Sequence, residues 1–409
     1  IVAVMGTLRG LFQGRKTMLP TAVSQIFEQV VNAFVSVSAA YFFMRAHSAS
    51  DQLPAWGAAG GTLGTCMGAV VALLILSVIY FMYKPVMSRQ EKRDKTSRTI
   101  SAAQSYKIIA ITVIPIILSQ TVYQLSGIVD VTLFNAIMGL KEIPDKVVST
   151  MQGIYSTKYK LLVNVPVAVS TAIASSMIPS LVISFASGDT ESVKGKVSMA
   201  VKFNMIIAFP SAMGLAVLAE PVIRLLFPAA DYTVSAMMLI TGSSCIIFYA
   251  LSTVTNGVLQ SIDKMGLPVL HSLISLIIHV GIVAGLLMWT NIGVYALVAG
   301  NVTYPMLVCL LNNRSLKKYL GYKQEITRSF CVPLIASFIM GVVAFGVYYL
   351  VFMLTHKIYI AILPSVALAV FIYFVLVLKL QGLNRQELYE FPMGRRMSVF
   401  ADKMHLLKN

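Results

Sequence analysis

Thr21, Gln25, Glu28 and Asn32 follow one another at intervals of four, three and four residues, and Ser36 extends the row. On an α-helix this spacing gathers the side chains onto one face, with Gln29 at its edge, and leaves Val23, Phe27, Val30, Phe34 and Val37 opposite. Gln120, Gln124, Gly127 and Asp130 form a second such row, adjoined by Tyr123 and Asn135. Arg9 stands just before the first row, close to the end of an apolar stretch. A carboxylate at such depth is costly unless it meets water, a cation or a partner. The chemistry on offer is binding: Arg9 for an anionic group, Glu28 or Asp130 for a proton or another cation. Gln25, Gln29, Asn32, Gln120 and Gln124 are candidates for the lining of a water-filled cavity between two half-bundles. Amides in apolar helices also serve as interhelical glue, and for these five the two readings stand equal. Glue needs no ionisable group, which favours function for Glu28 and Asp130.

Glu220 and Arg224 stand at i, i+4, the spacing of an intrahelical ion pair, and have a structural use. His271 and His279 share a helix face, but no carboxylate accompanies them at ligand spacing, so no metal site is expected. Cys66, Cys245, Cys309 and Cys331 are scattered singly through apolar sequence and are expected to be small buried hydrophobes. No phosphate loop, zincin sequence, nucleophile elbow or nucleotide fingerprint occurs, so neither an enzyme nor an ATPase engine is indicated and no cofactor is expected. Gly60-Gly-Thr-Leu-Gly64 lacks the lysine of a phosphate loop and opens an apolar helix, where small residues permit close approach of a neighbour.

The elements that must position these groups are membrane helices. The 409 residues are 57% hydrophobic and only 12% charged, against roughly 25% charged in soluble domains. Apolar stretches long enough to cross a bilayer recur from end to end. A partial span is expected at 1–14, with full spans near 18–44, 56–83, 106–137, 159–184, 201–228, 233–260, 267–289, 292–312, 329–353 and 359–379. Lipid offers no partner to a free backbone amide, and continuous apolarity without strand alternation selects helices over a barrel. The fold class is therefore an all-α polytopic membrane protein, with about ten full helices and one partial helix here. Pro115, Pro166, Pro179, Pro210, Pro221 and Pro305 each permit a kink.

The net charge of +16 is not a nucleic-acid footprint, because the basic residues gather in alternate joints. One side receives the clusters at Arg15 and Lys16, Lys84 to Arg98, Lys194 to Lys202, Lys264, Arg314 to Arg328 and the tail from Lys379; the other receives Arg45, Lys141, Lys146, Lys158, Lys160 and Lys357. The positive-inside rule makes the first side cytoplasmic, where it also meets anionic lipid. An internal repeat relates Gly10-Leu-Phe-Gln to Gly257-Val-Leu-Gln, each followed by a short joint and Pro20 or Pro268 at the next helix start. Three full spans separate the linker from the second copy, so three preceding spans are expected before the first, about fourteen in all. The expected divisions are 1–83, the later part of one helical lobe; 84–105, a basic cytoplasmic linker; 106–312, a second lobe; 313–328, a basic cytoplasmic loop; 329–380, two additional helices; and 381–409, a cytoplasmic tail.

Leu8-Arg-Gly-Leu-Phe-Gln-Gly, continuing to Met18-Leu-Pro-Thr-Ala-Val-Ser-Gln-Ile-Phe-Glu-Gln29, carries a resemblance, supported by Ile128-Val-Asp130, Ala219 to Phe227, Val258 to Ser261 and Gly382 to Arg395. The chain resembles the polysaccharide biosynthesis and stage V sporulation B-like branch of the multidrug, oligosaccharidyl-lipid and polysaccharide exporter superfamily, which includes Gram-positive lipid II flippases. The resemblance implies a two-lobed helical carrier of the bacterial cytoplasmic membrane that moves an undecaprenyl-pyrophosphate-linked sugar by alternating access. Lipid II or a related polysaccharide intermediate, in wall growth or sporulation, is the substrate it implies. Arg9, Glu28 and Asp130 fall on motif positions and take a substrate or ion-coupling role, with a proton, sodium ion or the membrane potential as the coupled quantity. Cell-wall synthesis proteins are the implied partners. The alternatives are a cation-coupled multidrug or metabolite antiporter and a non-transporting scaffold for wall or spore-coat assembly.

Overall fold

The computed structural model describes residues 1–409 apart from Lys16, Met18, Asp51, 94–100, 229–231, 391–393, 395–397, Phe400 and 402–409. Within helices, the side chains of Glu91, Thr112, Pro115, Ile116, Ser119, Gln120, Tyr123 and Glu390 also lie outside the description. The regular elements among the described residues are all helical. The chain forms two compact units, Ile1–Ser101 and Ala102–Asn409.

The first unit holds α1 (Val2–Gly14), α2 (Leu19–Ala46) and α3 (Leu53–Arg93). Gly60, Gly64 and Gly68 recur every fourth residue and so line one face of α3. A Cβ at Gly60 would strike the backbone of Ala39 and Ala40, one at Gly64 would strike Ser36, and one at Gly68 would lie 2.7 Å from the Glu28 carbonyl oxygen. The small-residue stripe brings α2 and α3 into backbone contact, as membrane helices require in the absence of a hydrophobic force between them. The basic run from Lys84 to Arg93 continues α3 and is not a loop, while Lys95 and Arg98 lie outside the described residues.

The second unit opens with α4 (Ala102–Leu140). α5 (Asp145–Ile154) runs through a π turn at Tyr155–Tyr159 into α6 (Lys160–Ala186), giving one apolar element of 42 residues. α7 (Thr190–Val217) is capped by Asp189, whose carboxylate accepts from the Ser192 amide at 3.0 Å. Then come α8 (Ala219–Leu226), α9 (Thr233–Gly242) and α10 (Cys245–Ser261). α11 (Gly266–Trp289) and α12 (Tyr295–Leu320) follow, and α12 stops at Gly321, where φ is +60°. A π turn at Thr327–Cys331 leads into α13 (Val332–Thr355), followed by α14 (Ile358–Lys379) and the short α15 (Arg385–Glu390).

Among the described residues, eight helices are long and apolar enough to cross a membrane, or nine if the bent pair α9–α10 counts as one span. That pair corrects the single span expected at 233–260: the chain turns by 47° at Ser243 and Ser244, a Gly-Ser-Ser break without proline. The span expected at 201–228 is likewise α7 followed by the separate α8, with Pro221 near the start of α8, where its missing donor costs little. Pro166, Pro179, Pro210 and Pro305 lie inside their helices. Of the cysteines, Cys245 and Cys309 are buried, but Cys66 and Cys331 occupy exposed helix faces.

The repeat has a structural counterpart. α1 ends before a short joint and α2 begins with Pro20 near its start; α10 and α11 do the same around Pro268. In each case the third helix, α3 or α12, packs against both members of the preceding pair.

Candidate functional site

α4, α6, α10 and α12 enclose a cavity of about 450 Å³ in the second unit. It is walled by amides and hydroxyls: Gln124 from α4; Asn164, Thr171 and Ser175 from α6; Tyr249, Thr253, Asn256 and Gln260 from α10; and Asn301 from α12. Asn301 ties the wall together. Its Oδ1 accepts from Tyr249 Oη at 2.8 Å and its Nδ2 donates to Tyr159 Oη at 3.1 Å. Tyr159 in turn donates to the Gly242 carbonyl at 3.2 Å, where the bend between α9 and α10 begins.

Lys160 brings a cation to this lining. Its Nζ lies over the Tyr155 ring at 5.1 Å from the centroid, and the lysine forms no ion pair among the described residues. The sequence places Lys158 and Lys160 beside a joint of the second side, at the start of the span expected at 159–184. There the π turn joins α5 to α6, so that Lys158 is buried and Lys160 faces the cavity. Lys160, Asn164, Thr171 and Ser175 stand at helical spacing within the span expected at 159–184, and that polar row was legible in the sequence.

Asp130 is 3% exposed and does not itself line the cavity. Its Oδ1 meets Nε2 of His279 on α11 at 2.6 Å, and His279 Nδ1 meets the Gly300 carbonyl oxygen on α12 at 3.1 Å. His279 is a functional candidate that the sequence reading passed over, since the carboxylate that accompanies it lies 149 positions away. His271 is held by Asn312 Oδ1 at 2.7 Å and lies 3.2 Å from Ser315 Oγ. No group of three metal-ligating side chains occurs among the described residues.

In the first unit Arg9 joins α1 to α2. Its Nη2 lies 2.7 Å from Glu28 Oε2, and its Nε donates to Ser24 Oγ at 3.1 Å. Asn32 works between α2 and α3: its Oδ1 accepts from Ser36 Oγ at 3.0 Å and Thr65 Oγ1 at 3.5 Å. Gln25 and Gln29 are exposed on this unit. Gln124 lines the cavity of the second unit, while the side chain of Gln120 lies outside the described residues. Glu220 Oε1 and Arg224 Nη2 pair at 3.0 Å along α8, and the Arg224 guanidinium sits 3.8 Å from the centroid of the Tyr232 ring, which fixes the end of that helix.

The family model described as "Lipid II flippase MurJ" matches residues 1–369. The chain is similar to "Lipid II flippase MurJ" of Bacillus subtilis (strain 168), 23% identical over 347 residues, covering 84% of this chain and 62% of that protein. It is also similar to "Stage V sporulation protein B" of the same organism, 21% identical, covering 98% of this chain and 74% of that one. A solved structure, "Lipid II flippase MurJ, inward closed conformation", aligns with a TM-score of 0.54 at 16% identity, covering 83% of this chain and 65% of the other, and it supports the fold.

Proposed function

We propose, from the premise that this chain belongs to the lipid II flippase MurJ family, that it moves a lipid-linked sugar pyrophosphate across the cytoplasmic membrane by alternating access. The observation that carries this reading is the polar cavity with the unpaired Lys160 in its wall. Amides and hydroxyls suit the many hydroxyls of a sugar, and an ammonium without a carboxylate partner suits a pyrophosphate. The head group needs the polar wall, and the polyprenyl tail needs only the apolar exterior.

The wider assignment follows the same logic. Arg9, Glu28 and Asp130 act in substrate binding or ion coupling, and the basic segments at 84–105, 313–328 and 381–409 face the cytoplasm and its anionic lipids. Residues 1–83 belong to the first helical lobe and 106–312 form the second, while 329–380 add two further helices. Outward movement of an anion gains about 2.3 kcal/mol per charge per 100 mV of membrane potential, which supplies a drive without ATP. Cell-wall synthesis proteins, in vegetative growth or sporulation, receive the product.

The test is reconstitution in liposomes with labelled lipid II, measuring outward exposure of its head group. Lys160→Gln is expected to slow exposure at least about tenfold, the loss of one charge-assisted contact, with Lys160→Arg retaining most of the rate. Unchanged exposure in Lys160→Gln would overturn the role of the cavity. Cation-driven export of a soluble drug without head-group exposure would favour an antiporter of the same fold.

A further inference from the structure

We propose that Asn256 sets the cavity's choice of sugar: its side-chain amide is turned so that the nitrogen, and not the oxygen, faces the head group, where it takes the acyl carbonyl of an N-acylated sugar. The transport reading above supplies the head group, and the choice of ligand rests on it; the direction of the amide stands on hydrogen bonds among α10, α11 and α12.

Thr255 has one hydroxyl hydrogen, and the Leu251 carbonyl takes it at 2.8 Å, so Thr255 Oγ1 accepts from any other neighbour. That neighbour is Asn312 of α12, whose Nδ2 donates to Thr255 Oγ1 and to Asn256 Oδ1, each at 2.8 Å. Both of its amide hydrogens are thereby used. Asn312 Oδ1 accepts from His271 Nδ1 of α11 at 2.7 Å, and His271 Nε2 lies 3.2 Å from Ser315 Oγ. Turned over, Asn312 would aim two hydrogens at one ring nitrogen in a site closed to water, since its exposure is 0%. The relay therefore has one direction. It occupies the oxygen of Asn256 and leaves the two hydrogens of its nitrogen for the cavity, whose wall Asn256 joins. Interhelical glue accounts for His271, Thr255 and Asn312, but not for a wall amide whose hydrogens find no acceptor among the described residues.

The neighbouring wall has the opposite polarity. Thr253 spends its hydrogen on the Tyr249 carbonyl at 2.8 Å, Thr171 on the Val167 carbonyl at 2.9 Å and Tyr249 on Asn301 Oδ1 at 2.8 Å. All three line the cavity and offer it lone pairs, which suit the hydroxyl hydrogens of a sugar. Asn256, about one turn from Thr253 along α10, sets a pair of neutral donors among them. A carbonyl oxygen flanked by hydroxyls is the matching ligand group, and the acyl substituent of an amino sugar supplies it. The pyrophosphate has its cation elsewhere. Gly257 packs on Ile178, where a Cβ would lie 3.0 Å from Ile178 Cδ1. Ile178 stands about five turns beyond Lys160 on α6, or about 27 Å at 1.5 Å per residue. Lys160 and Asn256 thus serve opposite ends of an elongated head group.

Nuclear magnetic resonance of the full protein in lipid nanodiscs, with isotope-labelled asparagine side chains, tests the donor site without transport. The Asn256 amide signal, identified by its loss in Asn256→Asp, is expected to shift on addition of N,N′-diacetylchitobiose. It is expected to stay in place with the same disaccharide lacking its acetyl groups and with inorganic pyrophosphate. Asn312→Asp touches no ligand but faces Asn256 with acceptors alone, so the Asn256 amide turns over and the shift is expected to be lost at an unchanged melting temperature. Asn256→Asp still accepts from Asn312, and its binding of labelled lipid II is expected to weaken about tenfold, as an acceptor left facing an acceptor requires. No shift with the diacetylated disaccharide, an equal shift with either control probe, a shift that survives in folded Asn312→Asp, or undiminished binding by Asn256→Asp would each overturn the proposal. If Asn312→Asp does not fold, the three probes and Asn256→Asp decide. The shift in a protein that fails to expose labelled lipid II leaves the donor site and removes the flippase reading, whereas exposure without the shift does the reverse.

Discussion

Gly300 is the residue on which the geometry around His279 turns. A methyl group added there would lie 2.6 Å from Val283 Cγ2 and 2.7 Å from His279 Cε1, and both neighbours are buried on α11. Gly300→Ala is therefore expected to destabilise the protein by about 1–3 kcal/mol, as overpacking does, and to displace the ring from Asp130. A thermal unfolding scan in detergent measures the destabilisation; an unshifted melting temperature would show that the ring has slack. The sequence displayed Asp130 as a lone acid on a helix face but could not display its partner, because pairing between α4 and α11 is a matter of tertiary packing. His279 was visible as a polar interruption of an apolar helix, in register with Ser275 and His271, and that row was the available signal. Arg9 and Glu28 were close enough in the sequence for their pairing across the α1–α2 joint to be conceived, whereas the continuity of α5 into α6 beside Lys160 was not legible, because a π turn has no distinctive residue pattern.

Helix packing decides which of the remaining polar groups are structural. Asn32 and Ser36, parts of the first polar row, are occupied at the α2–α3 contact, where the glycine stripe brings the backbones together. Gly64→Leu is expected to force α3 away from Ser36, and disulfide cross-linking between cysteines introduced at Asn32 and Thr65, whose side chains meet across the same contact, should fall severalfold in that variant. Undiminished cross-linking would mean that the helices do not depend on the stripe. A second contact joins α7 to α15 and the loop before α13: buried Lys202 lies 2.7 Å from Glu387 Oε1 and 3.4 Å from Glu325 Oε2. Replacing Lys202 by Met removes the cation shared by two carboxylates while keeping the volume. Tryptic cleavage at Arg385 is expected to rise as the tail leaves its dock, and protection equal to the parent protein would assign the docking to Leu383 and Leu388 alone. Helix existence was legible throughout from apolar length, since lipid permits little else; the break at Ser243 and Ser244 was not, because glycine and serine are also ordinary in unbroken membrane helices.

At the scale of the molecule the repeat and the distribution of charge make the same demand on topology. The repeated helix pair, α1–α2 and α10–α11, meets a third helix in each unit in the same manner, and equal orientation of the two copies requires an even number of crossings between them. Counting α3, α4, the long element Asp145–Ala186 and α7 as single crossings, and α9–α10 as one bent crossing, places the joints near Glu142 and Asn291 on one side and those near Asp263 and Lys323 on the other. In the proposed orientation, which follows the charge bias, the second side is cytoplasmic. In a background with Cys66, Cys245, Cys309 and Cys331 replaced, single cysteines at these four positions test the count. A membrane-impermeant maleimide applied to intact cells is expected to label cysteines at Glu142 and Asn291, and those at Asp263 and Lys323 only after the membrane is opened. Labelling of all four from outside would break the topology; reversal of the two pairs would keep the crossings and invert the protein. Either result would also reverse or remove the electrical advantage of moving a pyrophosphate outward, because that advantage depends on which mouth of the cavity meets the negative interior.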